Sequence, residues 1–346
     1  MRIPAIDPEN LDADLARGLA AALAAGAEAH GRTSPNPPVG AAILDTSGNI
    51  VGVGGTQPAG GAHAEVMALA EAGEKALGGT AVVTLEPCNH IGRTGPCTQA
   101  LLKAGIAAVY YVHPDPNGQA SGGAQFLREQ EVAVVRINTS SRDLLPWLNS
   151  LQLGRPTVTL KFAQTLDGFT AALDGSSQWI TGDQARRRVH EDRRQRDGII
   201  IGTGTALADN PSLTARREDG SLHDTQPRRV VIGSRPISAE QAPNLHRLGF
   251  EQYPEISTAL AALWQAGARD VLVEGGAGLA SAFLAAGLVD NIQAYIAPTL
   301  LGQGHPVLAN AVSDTLAGAA SFELVSQTRL GGDLLLELKK KGSVSD

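Results

Sequence analysis

His63-Ala64-Glu65, then Pro87-Cys88, then Cys97 mark one stretch of the chain, and the elements between them decide the fold. From His63 to Ala76 the residues have helical periodicity and are good helix formers. Ala81–Leu85 reads as a buried strand leading into Pro87-Cys88, and Thr98–Ala104 as the next helix. The spacing therefore predicts helix, strand, helix, with both donor groups where helices begin and the dipole favours thiolate and hydroxide. The chain has only two cysteines, and they stand nine positions apart. One imidazole (His63) and two thiolates (Cys88, Cys97) make three protein ligands for a tetrahedral zinc and leave the fourth position to water. Two thiolates cancel the charge of the metal, and the water loses a proton near neutral pH. Glu65 has no cation beside it in sequence, so it suits a proton shuttle better than a metal ligand.

Other readings of these residues stand beside catalytic zinc. A closed structural site needs a fourth strong ligand, and the nearest candidate is His90, between the cysteines. Two inert buried thiols are a second alternative. A Cys88–Cys97 disulfide is a third, and it sits poorly with a chain that shows no export signal. Catalytic zinc leads, because H-x-E followed by P-C and a further Cys is the signature of zinc deaminases, in which zinc hydroxide attacks an amidine-like ring carbon.

Working outward, residues 11–30 read as an Ala-rich helix stopped near Gly31, followed by a rigid turn from Gly31 to Gly40 whose prolines fix φ. Asn36, between two of those prolines, is either an Asx-turn residue or a reader of a heterocycle edge. Gly40–Leu44 and Ile50–Gly54 form a hairpin pattern. Strands over Ala107–Val112 and Val132–Val135 continue an alternation typical of a three-layer α/β/α sandwich. The pattern stops at Asn138–Pro156, where we place the domain boundary (1–148 and 149–346). Strands then follow at Val158–Ala163, Gly198–Gly202, Arg229–Ile232, Asp270–Val273 and Asn291–Ile296, with a basic helix at Gln184–Arg196. That helix reads as a solvated, salt-bridged face, with one or two arginines reaching a substrate phosphate as the sharper alternative. Glycine-flanked loops close three strands: Gly202-Thr203-Gly204-Thr205, Ile232-Gly233-Ser234-Arg235 and Glu274-Gly275-Gly276-Ala277-Gly278. Each alone is a tight turn; together they suit a phosphate-bearing nucleotide cofactor such as NADP, although the spacing is not that of a Rossmann fingerprint.

The bulk properties are ordinary for a soluble globular protein. With 346 residues, 43% hydrophobic and 18% charged, the chain is long enough for two globular domains. A net charge of −7 and the lack of aromatics among the basic residues argue against a nucleic-acid surface. The acidic N-terminus is no signal peptide, and the Leu19–Ala29 run is too short to span a bilayer, so the expected location is cytoplasmic, with no membrane partner.

With these residues assembled, the chain resembles the bifunctional riboflavin-biosynthesis deaminase/reductases of bacteria over roughly residues 15–340. The matching motifs are Gly31-Arg-Thr-Ser-Pro-Asn-Pro-Pro-Val-Gly40, His63-Ala-Glu65, Thr84-Leu-Glu-Pro-Cys-Asn-His-Ile-Gly-Arg-Thr-Gly-Pro-Cys97, Thr165-Leu-Asp-Gly168, Ser177-Gln-Trp-Ile-Thr181, Leu207-Ala-Asp-Asn-Pro-Ser-Leu-Thr214, Val273-Glu-Gly-Gly276 and Ala297-Pro-Thr-Leu-Leu-Gly302. The eight-residue gap between the cysteines is longer than the C-x-x-C of nucleoside and tRNA deaminases. The resemblance implies an N-terminal three-layer cytidine-deaminase-like domain and a C-terminal α/β domain similar to dihydrofolate reductase. The first would deaminate 2,5-diamino-6-ribosylamino-4(3H)-pyrimidinone 5′-phosphate with zinc; the second would reduce the ribosyl group to ribityl with NADPH. It implies zinc on His63, Cys88 and Cys97, Glu65 as proton shuttle, and Asn36, His90 and Arg93 at the first substrate. In the second half it implies Lys161, Ser177, Arg193, Leu213, Arg216 and Glu274 at the substrate. Ala163, Trp179, Thr205, Asp209, Ser234 and the run Gly276, Ala277, Gly278, Leu279, Ala280, Ser281 and Ala282 fall at the cofactor. The partner is thus a phosphorylated pyrimidine, and the expected assembly a homo-oligomer.

This sequence departs from the family pattern in three places. Gly55 and Thr56 stand where an aromatic-His pair is usual, and that His contacts substrate in the family. Asn210 replaces a commoner Asp. The span from Arg235 to Asp270 is short and shows one recognisable strand fewer. Two rivals are a nucleobase or tRNA deaminase with an accessory domain, and a binding module with one dead half.

Overall fold

The computed structural model describes residues 3–90, 95–118 and 121–342. The chain divides into two compact units, Met1–Leu151 and Gln152–Asp346.

In the first unit the elements run β1 (Ala5–Ile6), α1 (Ala13–Ala29), β2 (Gly40–Leu44), β3 (Ile50–Gly55), α2 (Ala64–Ala72), β4 (Thr80–Leu85), α3 (Cys97–Lys103), β5 (Ala108–His113), α4 (Gly123–Glu129), β6 (Ala133–Ile137) and α5 (Leu145–Leu153). The Asp12 carboxylate caps α1 by accepting from Leu15 N at 2.8 Å. One six-stranded sheet in the order β1-β6-β5-β4-β2-β3 forms the middle layer; β2 is antiparallel to β3 and β4, and the remaining pairings are parallel. Period-2 alternation sends Leu44, Val82 and Val112 to the face covered by α1, where they meet Leu19. Ile43, Val83 and Val109 face the other way, against Ala68, Leu101, Leu127 and Trp147 of the remaining helices. The result is the three-layer sandwich that the alternation predicts.

The first turn of α2 lies directly on β3, and glycine makes this possible. A Cβ on Gly54 would sit 2.5 Å from Ala64 O. The end of β3 therefore fixes where α2 starts.

In the second unit follow β7 (Thr157–Thr165), β8 (Phe169–Ala171), α6 (Asp183–Arg194), β9 (Gly198–Gly202), α7 (Thr203–Asp209), β10 (Arg228–Ile232), α8 (Pro243–Leu248), β11 (Glu251–Tyr253), α9 (Ile256–Gln265), β12 (Asp270–Val273), α10 (Ala277–Ala285), β13 (Asn291–Ala297), β14 (His305–Pro306), β15 (Phe322–Leu330) and β16 (Asp333–Lys340). Eight strands pair in the order β11-β10-β9-β12-β7-β13-β16-β15, parallel from β11 through β13 and antiparallel after it. Val158, Ile200 and Val271 pack under Leu260 and Phe283 on one face, while Ile199, Ile201 and Leu272 pack with Ala206 and Leu245 on the other. A separate two-stranded piece pairs β8 with β14. Among the described residues, no helix is long and apolar enough to cross a membrane.

Three sequence expectations change. The short span after Arg235 does contain a strand, β11, held at the sheet edge by a two-pronged Arg228–Glu251 pair at 2.8 and 2.7 Å. The segment Gly202–Thr205 is no free loop; Gly202 precedes α7 and Thr203 begins it. The basic helix is not solvated throughout. Arg196, just past its end, is buried between Asp192 and Asp270 at 2.7 and 2.8 Å, because both carboxylates are buried beside it.

Replacing Gly54 by Val should push α2 off β3 and lower the stability of the first unit by about 3 kcal/mol, the cost of overpacking against backbone. Calorimetry of the variant should show its transition moved down.

Candidate active sites

His63 is the residue just before α2, in extended conformation, and its carbonyl accepts from Met67 N at 3.1 Å. Cys88 follows β4 through Glu86-Pro87, and Cys97 is the first residue of α3. His63 Nδ1 lies 3.3 Å from Cys97 Sγ and 3.5 Å from Cys88 Sγ, and the three donor atoms all fall within 4.8 Å of one another. Tetrahedral zinc bonds of ~2.1 Å to nitrogen and ~2.3 Å to sulfur put ligands ~3.5 Å apart, so the set fits that ion. Both thiols are free, which removes the disulfide alternative. His90 is not in the cluster, and among the described residues the donor group has three members, as a site with an open position requires.

The electrostatics suit a cation. A hydrogen bond from Cys97 holds the Cys88 thiol down to about 4, against burial and with help from His63. That same bond, together with burial, pushes the Cys97 thiol up, so the proton of the pair stays there until a dication displaces it. Glu65, in the first turn of α2 and 4% exposed, has its carboxyl raised to about 7 by burial, with the Cys88 charge as the next cause. A carboxyl poised there both takes and gives a proton near neutral pH.

Behind this cluster sits a residue the sequence reading missed. The buried Glu86 carboxylate accepts from Ala124 N at 2.9 Å and Asp115 N at 3.3 Å, tying the start of α4 to the backbone before Cys88. Its signal was a charged residue directly after an apolar strand. Of the residues expected at the substrate, Asn36 lies half-buried in a turn closed by Thr33, whose hydroxyl donates to Asn36 O at 3.0 Å. His90 is half-buried, with Nδ1 enclosed and unpaired among the described residues. Arg93 lies outside the described residues.

In the second unit a cleft of about 1280 Å³ opens beyond the carboxyl ends of β9 and β12 and beside the middle of β7, close to the usual ligand position in a parallel sheet. Lys161, Ser177, Arg193, Leu213, Arg216 and Glu274 all line it. Ala163, Trp179, Thr205, Asp209, Gly276, Ala277 and Ala280 line it too. Ser234, Gly278, Leu279, Ser281 and Ala282 do not; Ser281 is turned into its own helix, donating to Ala277 O at 2.9 Å. The Gly276 N–H, expected to be open to a phosphate, donates to the Thr205 hydroxyl at 3.0 Å and so joins the starts of α10 and α7.

The centre of the cleft is an ion triad. Arg193 donates to both oxygens of Glu274 at 2.6 and 2.8 Å, and Lys161 Nζ is 3.7 Å from the same carboxylate. Burial pushes the Glu274 carboxyl up, but Arg193 and then Lys161 outweigh it and hold the carboxyl at about 2. Burial lowers the Lys161 ammonium against the pull of Glu274. His190, which no motif singled out, hydrogen-bonds Thr214 O at 3.0 Å; Arg193 donates to that carbonyl at 3.2 Å. Asn210, the departure from the usual Asp, adopts a left-handed conformation that Asn tolerates, and its side-chain oxygen accepts from Asn244 N at 2.9 Å.

Comparison with known proteins finds a match for each half of the chain. Residues 14–113 match the cytidine and deoxycytidylate deaminase zinc-binding region, and residues 156–336 match the RibD C-terminal domain. The chain is 62% identical over 311 residues to riboflavin biosynthesis protein RibD of Corynebacterium ammoniagenes, covering 88% of this chain and 92% of the relative. A solved structure of Acinetobacter baumannii RibD is similar with a TM-score of 0.82 at 36% identity, covering 94% of this chain and 98% of that one. The Thermotoga maritima diaminohydroxyphosphoribosylaminopyrimidine deaminase/5-amino-6-(5-phosphoribosylamino)uracil reductase is similar with a TM-score of 0.80 at 30% identity, with the same coverage.

Glu274→Gln should leave two buried cations without a counter-charge and destabilise the second unit by about 3–5 kcal/mol. The folded-state pKa is depressed, so the stabilisation by the charge is complete above the ordinary value of 4.5 and is lost as pH falls toward about 2. Denaturant melts of parent and variant should therefore converge over that acid window.

Proposed function

The chain belongs to the riboflavin biosynthesis protein RibD family, and from that premise we propose which of its residues carry the family's two reactions. It is a bifunctional enzyme of riboflavin biosynthesis, a zinc-dependent deaminase joined to an NADPH-dependent reductase. The reading takes the substrate to be 2,5-diamino-6-ribosylamino-4(3H)-pyrimidinone 5′-phosphate, deaminated first and then reduced in its ribosyl group. The observation that carries it is the convergence of His63, Cys88 and Cys97 on one point beside the buried Glu65.

In the deaminase half His63, Cys88 and Cys97 would hold the zinc, which when bound would supply a water activated at neutral pH. Glu65 would take a proton from the attacking water and give one to the leaving amine, two transfers for which a carboxyl near 7 is suited. Asn36, His90 and Arg93 take the pyrimidine and its phosphate. Cysteines kept as free thiols are in keeping with a cytoplasmic enzyme.

Reduction of the ribosyl carbon needs one hydride, which NADPH supplies, and one proton, which the protein must provide. Lys161 is the acid in the cleft best placed for that proton, since Glu274 holds its ammonium and burial favours its release. Arg216 and Ser177 bind the sugar phosphate side, and Leu213 walls the substrate. Trp179, Thr205, Asp209 and the start of α10 line the cofactor side, a reading supported by their place around one cleft.

Glu65→Gln should reduce ammonia release by about a thousandfold, the usual worth of a positioned acid–base group. Zinc should stay bound, and NADPH oxidation with pre-deaminated substrate should continue at the parent rate. Metal analysis alongside the two assays checks all three, and loss of zinc would contradict the assigned role.

A further inference from the structure

Two motifs remain without a part in either reaction, Thr165–Gly168 and Ala297–Gly302, and a third, Ser177–Thr181, has one only through Ser177 and Trp179. One exposed carboxylate connects them. Asp167 does not line the cleft, yet it is the acceptor for four hydrogen bonds from three donors. The Thr165 hydroxyl donates to it at 2.6 Å, Leu301 N at 3.3 and 3.0 Å to its two oxygens, and Gly302 N at 2.7 Å. Thr165 in turn accepts from Phe169 N at 3.1 Å, and Leu166 N donates to Thr299 O at 2.9 Å. Gly168 at φ +90° and Gly302 at φ +73° supply the backbone turns on each side.

What leaves this knot is a strap. It runs through β8, which pairs with β14, and turns at 172–176, where Ala172 N donates to Ser176 O at 2.9 Å. It then delivers Ser177 and Trp179 to the cleft wall. The far end is also tied: Arg186 stacks on the Trp179 ring at 4.5 Å and donates to Thr181 O at 2.7 Å, and Gly182 N donates to Asp333 at 2.7 Å. Between the two ties the indole is 68% exposed, so its position depends on where the strap is rooted.

We propose that Asp167, from outside the cleft, is a positioning residue of the reductase site, locking the 165–168 turn onto the 299–302 loop and so setting the strap that carries Ser177 and Trp179. A carboxylate satisfies this knot more fully than an amide, whose one oxygen could serve Leu301 and Gly302 but whose N–H would force the Thr165 hydroxyl to accept instead of donate. The inference rests on the assignment of Ser177 and Trp179 to the reductase site.

The test compares Asp167→Ala, Asp167→Asn and Trp179→Ala in the full-length zinc-loaded enzyme. Asp167→Ala should raise the KM for NADPH about tenfold, with a smaller effect on kcat and with Asp167→Asn between it and the parent, as loss of a few charge-assisted bonds predicts. The anisotropy of the Trp179 emission, isolated as the difference from Trp179→Ala, should fall, while ammonia release by the other half is unchanged. A KM within about twofold of the parent overturns the proposal. So does a raised KM with unchanged anisotropy and a lowered unfolding midpoint, which is what a merely stabilising residue would give. If Trp179→Ala itself leaves the KM unchanged, the cofactor assignment falls and the inference with it. If Trp179→Ala raises the KM and Asp167→Ala does not, the clamp alone is wrong.

Discussion

A parallel strand can be left only at its carboxyl end, and its successor must be entered from the opposite edge of the sheet. Both units are built around such strands, so each gathers strand exits and helix starts along one edge. In the first unit β4 ends just before Cys88, while α2 begins directly after His63 and α3 at Cys97. In the second, β12 runs out into Glu274, β7 carries Lys161 at its middle, one residue past its pairing with the end of β12, and β9 passes directly into α7. Helix starts bring unpaired N–H groups and partial positive charge. That environment favours thiolates in one unit and the phosphates of a substrate or cofactor in the other. Two unrelated chemistries thus follow from one consequence of chain direction.

Buried charge is the second theme, and the basic helix α6 shows it in two forms. Val189, Asp192 and Arg193 recur at the three- and four-residue spacing of one face of α6, and Arg196 follows two residues past its end. Arg196 meets Asp192, Asp270 and the Thr159 hydroxyl within the core, closed away from ligand. Arg193 meets Glu274 at the cleft wall, where one side of the pair stays open to a substrate. Burying such ions gains little net stability, because desolvation cancels most of the attraction. Their value in the cleft is geometric: Glu274 is held ionised by two cations and fixes where the Lys161 ammonium stands.

The zinc cluster was legible because its donors are close in sequence and coincide with element boundaries that periodicity reveals. The hairpin β2–β3 and the alternating core strands were legible for the same local reason. The role of Arg196 was not, because its partner Asp270 is 74 residues away and nothing local distinguishes it from Arg194. The strand β11 escaped notice because Glu-Gln-Tyr is short and polar, and a long-range ion pair rather than apolar alternation keeps it in the sheet. Of the glycine-flanked loops, two of three supply cleft residues, while the exposed Ser234 at the end of β10 lies outside the walls. Loop chemistry predicted a phosphate site, but only the sheet order says which strand ends lie together.

Thr56 shows what a departure from a family pattern looks like once its contacts are known. Where the family pattern leads one to expect a histidine, this chain has a side chain that is 6% exposed and occupied with its own backbone. Its hydroxyl accepts from Val39 N at 3.2 Å, and its N–H donates to Val39 O at 2.9 Å. From the next strand over, the Thr84 hydroxyl accepts from Gly40 N at 3.0 Å, and Trp147 donates to Pro35 O at 2.9 Å. The turn that carries Asn36 is therefore held at its middle by an indole and at its exit by two hydroxyls. Prolines on both sides of Asn36 remove most of the remaining freedom. A loop fixed in this way loses little entropy when a ligand meets it. The side chain at this position is thus spent on its own backbone, and what it adds is rigidity to the turn that carries Asn36, the residue proposed to read the pyrimidine.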